Sequence, residues 1–186
     1  MSLTPTASIP LGFKAPAFSL PNVVSDELMT FTDVRGSKGT LVMFICNHCP
    51  YVIHVREELI RLANDYKVKG FGFVAISSND VENYPDDRPE LMKKLALEEG
   101  FPFPYLYDES QSVAKAYDAA CTPDFDLFDA SDVCVYRGRL DESRPGSGIP
   151  VTGRDMRGAL DAILTGRDIP KPQYPSMGCN IKWKKG

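Results

Sequence analysis

Two apolar runs of strand length, separated by one amphipathic pattern, restrict the fold of this chain more than any other feature. Residues 40–45 (TLVMFI) and 71–76 (FGFVAI) are almost uninterrupted apolar segments, as expected for strands buried on both faces of a parallel sheet. Between them, apolar residues recur at helical spacing as far as residue 67, and Gly70 follows as a stop signal. The sequence therefore predicts a β-α-β unit.

The segments outside this unit mix helical patterns with alternating ones. We predict a short strand at 105–107, helices at 87–99, 111–118 and 152–165, and an antiparallel hairpin at 125–137. Residues 1–33 are predicted to be a strand-rich N-terminal extension. Residues 167–186 contain three prolines and are predicted to be an extended tail, laid over the surface outside the core. We expect an α/β fold with one domain over 1–186 and its core at about 34–166.

Composition and charge exclude several classes of function. The chain has 186 residues, a formal net charge of −4 and a pI near 5.2, which argue against nucleic-acid binding. Its apolar runs are far shorter than the ~20 residues of a membrane-spanning helix. The sequence does not open with a basic stretch followed by an apolar signal core. We therefore expect a cytoplasmic protein that binds neither nucleic acid nor membranes.

Four residues at the junction of the first predicted strand and helix carry the chemistry of the sequence. The segment is CNHC at 46–49, and its two thiols, Cys46 and Cys49, lie at the start of a helix. Orphan N–H groups and partial positive charge at a helix N-terminus favour a thiolate. With Asn47 as the N-cap, we expect Cys46 to be exposed just outside the helix and Cys49 to be more buried. In a chain without a secretory signal, such a pair is typical of a redox-active or metal-binding site.

Four short segments spread over nearly the whole chain occur in an order that is characteristic of one family. They are GFKAPAF at 12–18, CNHC at 46–49, CTPD at 121–124 and VYRG at 135–138. Together they resemble the redoxin, or AhpC/TSA-type, branch of the thioredoxin superfamily. The resemblance implies a thioredoxin fold, in which a central mixed β-sheet is flanked by helices.

The resemblance also implies the activity of a thiol–disulfide oxidoreductase. Cys46 is the expected nucleophile and Cys49 the resolving thiol, and the redox-active disulfide removes the need for another cofactor or a metal. Expected partners are a disulfide-containing protein or a small-thiol substrate, together with a thiol system that reduces or oxidises the chain. Thr122 and Pro123 resemble the cis-proline element that presents backbone to an extended substrate.

His48 is the departure from the Gly-Pro pair that ordinary thioredoxins carry between their cysteines. An imidazolium at this position is expected to lower the pKa of Cys46 and to make the couple more oxidising than that of thioredoxin. The alternative is an exposed, neutral histidine with no effect on the thiols.

The sequence leaves open whether the cysteines bind a metal and what role each of the other three cysteines has. Cys46, Cys49 and His54 offer three zinc ligands, but a structural zinc needs four and no second cysteine pair follows, so we predict no metal. Cys179 is either an auxiliary resolving thiol brought by a flexible tail or a residue fixed by tail packing. Cys121 either approaches the dithiol or is a small buried thiol. We expect the fifth cysteine, at position 134, to be a strand residue.

Two other classes of function compete with the oxidoreductase. In peroxiredoxins a Thr-x-x-Cys segment occupies the same junction, which would make Cys49 the peroxidatic residue. Cys46 replaces that threonine, and Arg56 or Arg137 would have to orient the peroxide. The second competitor is a non-catalytic thioredoxin-fold protein that binds an extended peptide beside Pro123, but such a protein would not need paired thiols.

Overall fold

The elements of the fold are defined for residues 3–185, which the computed structural model describes. Residues 1, 2 and 186 of the predicted extension and tail lie outside the described residues. The strands are β1 (Leu3–Pro5), β2 (Ser19–Pro21), β3 (Leu28–Thr30), β4 (Gly39–Phe44), β5 (Phe71–Ser77), β6 (Tyr105–Tyr107), β7 (Cys121–Thr122), β8 (Asp124–Asp129), β9 (Cys134–Tyr136) and β10 (Met177–Asn180). The helices are α1 (Phe31–Val34), α2 (Pro50–Lys67), α3 (Pro89–Glu98), α4 (Ser112–Ala116) and α5 (Arg154–Thr165), with a 3-10 turn at Pro85–Asp87.

The predicted β-α-β unit is present at the centre of the main sheet. β4 and β5 pair in parallel, from Gly39 opposite Phe71 to Phe44 opposite Ile76, and α2 connects them. Every residue of β4 is buried, because the strand has neighbours on both sides and helices on both faces. This burial explains why the sequence of the strand shows an apolar run instead of alternation.

The main sheet is mixed and has a hydrophobic core on each face. Its strand order is β6-β5-β4-β8-β9, with β4, β5 and β6 parallel and with β8 and β9 antiparallel to their neighbours. Leu41 and Met43 pack in the core that also contains α2, α3 and α5, whereas Val42 and Phe44 pack in the opposite core with α1 and α4. The expected α/β fold with a central mixed sheet flanked by helices is therefore confirmed.

The C-terminal tail differs from its prediction. β10 lies between β1 and β7 in a small antiparallel sheet, and Cys179 and Ile181 are only 4% and 1% exposed. The prediction that the tail lies over the surface outside the core is thus wrong for its second half. The three prolines all precede β10, so they do not interrupt it. Gly178 allows the strand to approach β7 closely, because a Cβ there would overlap the carbonyl oxygen of Thr122.

The other predicted elements are present with small differences at their ends. The N-terminal extension contains β1, which pairs with β10, and the β2–β3 hairpin. The three later helices and the β8–β9 hairpin lie within a few residues of their predicted bounds. None of the helices in residues 3–185 combines the length and the apolar character that crossing a membrane requires.

Candidate active site

The N-terminus of α2 positions the two thiols differently from the prediction. The N-cap is Cys49, in an extended conformation, and Pro50 is the first helical residue. The prediction of Asn47 as the N-cap is therefore wrong by two positions. Its physical reason is Pro50, because proline favours the first helical position and disfavours helical geometry at the residue before it. The helix dipole consequently acts on Cys49 more directly than on Cys46.

Both cysteines of the pair are buried. Cys46 is 1% exposed and Cys49 is 0% exposed, so the prediction that Cys46 is exposed outside the helix is wrong. The cause is the segment around Thr122: Sγ of Cys46 lies 3.5 Å from the Thr122 hydroxyl oxygen, and Sγ of Cys49 lies 3.1 Å from the Thr122 carbonyl oxygen. The peptide bond between Thr122 and Pro123 is cis. The structure thus brings together the dithiol and the segment that the sequence analysis selected.

Cys179 is a third thiol in the same cluster. Its Sγ lies 2.9 Å from Sγ of Cys49, and its backbone pairs with that of Thr122. Packing fixes the tail, as one of the two alternatives for Cys179 required, yet this packing itself places the thiol beside Cys49. Cys121 is a buried thiol that donates to the carbonyl oxygen of Pro123 over 3.5 Å, and burial raises its pKa.

His48 is held by a buried carboxylate that the sequence analysis did not identify as a site residue. Nδ1 of His48 lies 2.7 Å from Oδ2 of Asp87, and Asp87 is completely buried. The side-chain amide of Asn79 also donates to Oδ2 of Asp87, and the backbone N–H of Asn47 donates to Oδ1, each over 2.8 Å. The ring of His48 stacks on Tyr84 with 5.6 Å between the ring centroids.

Of the residues around His48, the position of Asn79 could have been predicted from the sequence, whereas that of Asp87 could not. Asn79 follows β5 closely, and the carboxyl ends of the parallel strands β4 and β5 lie at the same edge of the sheet, where polar side chains form sites. Asp87 lies in the 3-10 turn before α3 and reaches His48 only through the tertiary fold. No local pattern in the sequence indicates that contact.

The charges of the cluster favour a thiolate at Cys49. A hydrogen bond from Cys46 lowers the pKa of Cys49 to about 4 against the effect of burial, with further contributions from Cys179 and the N–H of Val52. The same hydrogen bond raises the pKa of Cys46 well above its ordinary value, and burial and the charge of Asp87 act in the same direction. The two sulfurs therefore share one proton, and the negative charge lies on Cys49.

The expectation that His48 lowers the pKa of Cys46 is wrong for this arrangement. The hydrogen bond to Asp87 raises the pKa of His48, which favours an imidazolium. Burial alone would raise the pKa of Asp87, but hydrogen bonds from His48 and Asn79 lower it, so the carboxylate is charged. Because Asp87 balances the imidazolium charge, His48 does not act on Cys46 as an isolated cation.

A different set of residues from the predicted one brings metal-ligand atoms together. Sγ of Cys46, a ring nitrogen of His48 and a carboxylate oxygen of Asp87 lie within 4.8 Å of one another. Three donors are one fewer than a tetrahedral zinc site needs, and His48 and Asp87 already bond to each other. His54 is not part of this set. That the chain needs no metal stays a prediction.

Comparison with known proteins agrees with the topology. The structure is similar to the solution structure of a putative thioredoxin from Neisseria meningitidis, with a TM-score of 0.63, 26% identity and coverage of 84% of this chain and 93% of the other. The chain therefore has the thioredoxin fold. The redoxin family profile matches residues 10–152. The chain belongs to the redoxin family.

Two solved structures are similar to nearly the whole chain, and one curated relative is similar to two thirds of it. An uncharacterized conserved protein from Geobacillus kaustophilus has 60% identity, a TM-score of 0.98 and coverage of 100% of this chain and 98% of its own. A hypothetical protein from Sinorhizobium meliloti 1021 has 48% identity, a TM-score of 0.96 and coverage of 98% and 100%. The thiol:disulfide interchange protein DsbE of Allochromatium vinosum is 26% identical over 126 residues, which are 66% of this chain and 63% of that protein. The match thus spans less than two thirds of that relative.

Proposed function

We propose that this protein is a thiol–disulfide oxidoreductase in which Cys46 and Cys49 form a reversible disulfide. The observation that carries the proposal is the contact of both sulfurs with Thr122, at the junction of β4 and α2. The lowered pKa of Cys49, which favours a thiolate in the pair, supports it. The interchange protein of A. vinosum and the redoxin profile support the same class of reaction. The electrons are carried by the disulfide, so the proposal requires no other cofactor.

The proposed reaction is two successive thiol–disulfide exchanges. Cys46 attacks one sulfur of the substrate disulfide after its proton has moved to Cys49 along their shared hydrogen bond, and the first substrate thiolate leaves. Cys49 then attacks Sγ of Cys46 in the mixed disulfide, and the second substrate thiolate leaves with the proton. The substrate is reduced by two electrons while the Cys46–Cys49 pair is oxidised, and the reverse sequence oxidises a dithiol substrate.

Three further residues have proposed roles in this reaction. Thr122 and Pro123 contact or flank the thiols and present backbone to the substrate, which is a disulfide-containing protein or a small disulfide. His48 is proposed as a positioning residue: its ring bonds to Asp87, whose Oδ1 accepts from the N–H of Asn47, so the pair fixes the segment between the two cysteines. A thiol system that reduces or oxidises the pair completes the cycle. The cytoplasmic location stays a prediction, which cell fractionation would check.

The test is a redox titration of the pair against glutathione. We expect one two-electron couple in the wild type, read by alkylation and peptide mass, and loss of the Cys46–Cys49 disulfide in Cys46→Ser and in Cys49→Ser. Cys134→Ala is the matched control, because this buried cysteine lies in β9 and should leave the couple unchanged. If the pair neither forms a disulfide nor reacts with an alkylating reagent, a non-catalytic binding protein replaces this proposal.

A peroxidase is the second candidate, and one observation favours it. Cys49 has the low pKa and the N-cap position that a peroxidatic cysteine needs. The arginines required to orient peroxide are engaged elsewhere: Arg137 is paired with buried Asp126 and donates to the carbonyl oxygen of Tyr117, and Arg56 is paired with Glu99. Hydrogen peroxide should separate the candidates. Sulfenic acid at Cys49 and undiminished peroxide consumption in Cys46→Ser would favour the peroxidase.

A further inference from the structure

We infer that Cys179 is a third redox-active thiol, which takes the disulfide from the Cys46–Cys49 pair by attacking Cys49. The inference rests on the proposed function, because it requires the pair to become oxidised. It adds Cys179, from the C-terminal strand β10, to the thiol–disulfide exchange proposed for Cys46 and Cys49. The structure supports it through the position of β10, the anchoring of that strand, and the arrangement of the three sulfurs.

The position of β10 places Cys179 beside the residue that precedes Pro123. In the small sheet, Cys179 lies opposite Thr122 and Asn180 lies opposite Cys121. The backbone of Thr122, which the proposed function assigns to guiding a substrate, is thus paired with a segment of the chain itself. β10 presents a cysteine in an extended backbone next to the dithiol, which is how an extended disulfide substrate would present its sulfur.

The anchoring of the tail on both sides of β10 fixes this position. Before the strand, the hydroxyl of Ser176 donates to the carbonyl oxygen of Pro123 over 2.7 Å. After it, the N–H of Lys182 donates to Oδ1 of Asn79 over 2.8 Å, and the carbonyl oxygen of Lys182 accepts from the N–H of Asp80 over 2.8 Å. These contacts hold Cys179 within reach of one sulfur without the search that a flexible tail would need.

The three sulfurs are arranged around Cys49. Cys49 is hydrogen-bonded to Cys46 and lies 2.9 Å from Sγ of Cys179. When Cys46 and Cys49 are joined, the sulfur of the bond that Cys179 contacts is therefore that of Cys49. Burial raises the pKa of Cys179 to about 12, assisted by its contact with the Cys49 thiolate. Oxidation removes that thiolate charge, while burial, which raises the pKa of Cys179, and Lys182, which lowers it, both remain.

The exchange is balanced within the chain. The thiolate of Cys179 attacks Sγ of Cys49, the Cys49–Cys179 bond forms, and the Cys46–Cys49 bond breaks. The electron pair of the broken bond goes to Cys46, which takes up the proton that Cys179 lost. One disulfide is consumed and one is formed, so no other oxidant or reductant is needed. The oxidised chain then has Cys46 as a thiol, which can attack a partner while the disulfide is held at Cys49.

The experiment is disulfide mapping of four forms of the full chain after equilibration with oxidised glutathione. The samples are quenched with acid, alkylated, digested and analysed by mass. In the wild type we expect two disulfides, Cys46–Cys49 within one peptide and Cys49–Cys179 between two peptides. Cys179→Ser should retain only the first, and Cys46→Ser should form only the second, with loss of alkylation at Cys179. Cys134→Ala is the control and should match the wild type.

Different outcomes overturn the inference and the proposed function. If Cys179→Ser forms the Cys46–Cys49 bond but Cys46→Ser keeps glutathione on Cys49 and an alkylated Cys179, the step at Cys179 is wrong and the proposed function stands. If Cys179→Ser does not form the Cys46–Cys49 bond, the proposed function and the step both fail. Cys46→Ala repeats the test if the serine variant does not fold.

Discussion

Two thiols of this protein, Cys49 and Cys134, have the same burial and opposite chemistry. Cys49 is 0% exposed and Cys134 is 1% exposed. Burial raises the pKa of Cys134, and the charge of Asp126 raises it further, whereas hydrogen bonds and the N-cap position lower the pKa of Cys49 to about 4. The difference shows that burial alone leaves a thiol protonated, and that donors aimed at the sulfur reverse this effect.

Two buried carboxylates repeat the contrast. Asp87 has a lowered pKa because donors reach both of its oxygens, in spite of the opposing effect of burial. Burial raises the pKa of Asp126 to about 7 even though Arg137 opposes the shift. Among residues 3–185, the second carboxylate oxygen of Asp126 has no hydrogen-bond partner. The number of donors therefore matters more than the presence of one opposite charge.

The largest expected effect is the loss of the redox couple when Cys49 is removed, compared with its retention when Cys134 is removed. Cys49→Ser should abolish the redox couple, because both proposed disulfides contain this sulfur. Cys134→Ser should retain the couple with its midpoint unchanged, since Cys134 lies in β9 and its thiol donates to the carbonyl oxygen of Tyr136. Glutathione titration followed by alkylation measures both. A couple that survives in Cys49→Ser would contradict the comparison.

Titration of the reduced protein should separate the thiols by pH. Ultraviolet absorbance of the thiolate should rise with a midpoint near 4, the pKa of Cys49, and the step should be absent in Cys49→Ser. Because the folded pKa lies below the ordinary value of 9.0, this ionisation stabilises the reduced protein fully above pH 9.0. The stabilisation should be lost as the pH falls towards 4. A single step above pH 9.0 would show that the donors do not act on Cys49.

Asp87→Asn should remove the charge that pairs with His48 while keeping nearly the same side-chain shape, and should therefore destabilise the folded protein. Loss of the buried ion pair with His48 should cost roughly 3–5 kcal/mol of unfolding free energy, and the pKa of His48 should fall. The raised pKa of His48 stabilises the fold below its ordinary value of 6.5, and the lowered pKa of Asp87 does so above 3.8. The difference from the wild type should therefore be largest between pH 3.8 and 6.5.

Denaturant unfolding at several pH values and NMR titration of the imidazole measure these effects. Asp86→Asn is the matched control, because the neighbouring carboxylate is exposed, and it should leave both quantities close to the wild type. An unchanged pKa of His48 in Asp87→Asn would mean that the ion pair does not form in solution.

The local patterns were sufficient to predict the centre of the fold. The apolar runs of β4 and β5 and the helical spacing of α2 identify a β-α-β unit, because buried parallel strands and amphipathic helices have distinct periods. The same patterns placed Cys46 and Cys49 at the strand–helix junction. Together with the family resemblance, they selected Thr122, and the structure brings it into contact with both thiols.

Contacts between distant segments were not accessible to the same reasoning. Asp87 meets His48 across 39 residues, and Cys179 meets Cys49 across 130 residues, without any periodic signal. β10 escaped prediction because it has only four residues and follows a proline-containing segment. The error at the start of α2 was different in kind, since the effect of Pro50 on the residue before it is local and could have been applied.

The smallest expected effect concerns the contribution of β10 to the low pKa of Cys49. Gly178→Ala should push β10 away from Thr122, because the new Cβ would overlap a carbonyl oxygen, and should cost about 1–3 kcal/mol of unfolding free energy. Cys179 should then donate less well to Cys49, so the thiolate midpoint should rise and Cys179 should be alkylated faster in the reduced, folded protein.

Gly158→Ala is the matched control for this change. Gly158 lies inside α5, where an added Cβ meets only Pro170 at an ordinary distance of 3.7 Å, so alanine should stabilise the helix by about 0.5–1 kcal/mol. The thiolate midpoint and the alkylation rate should not change. If Gly178→Ala loses stability but keeps the wild-type midpoint, the donors that distinguish Cys49 from Cys134 are Cys46 and the start of α2 alone. The role of β10 would then be limited to covering the site.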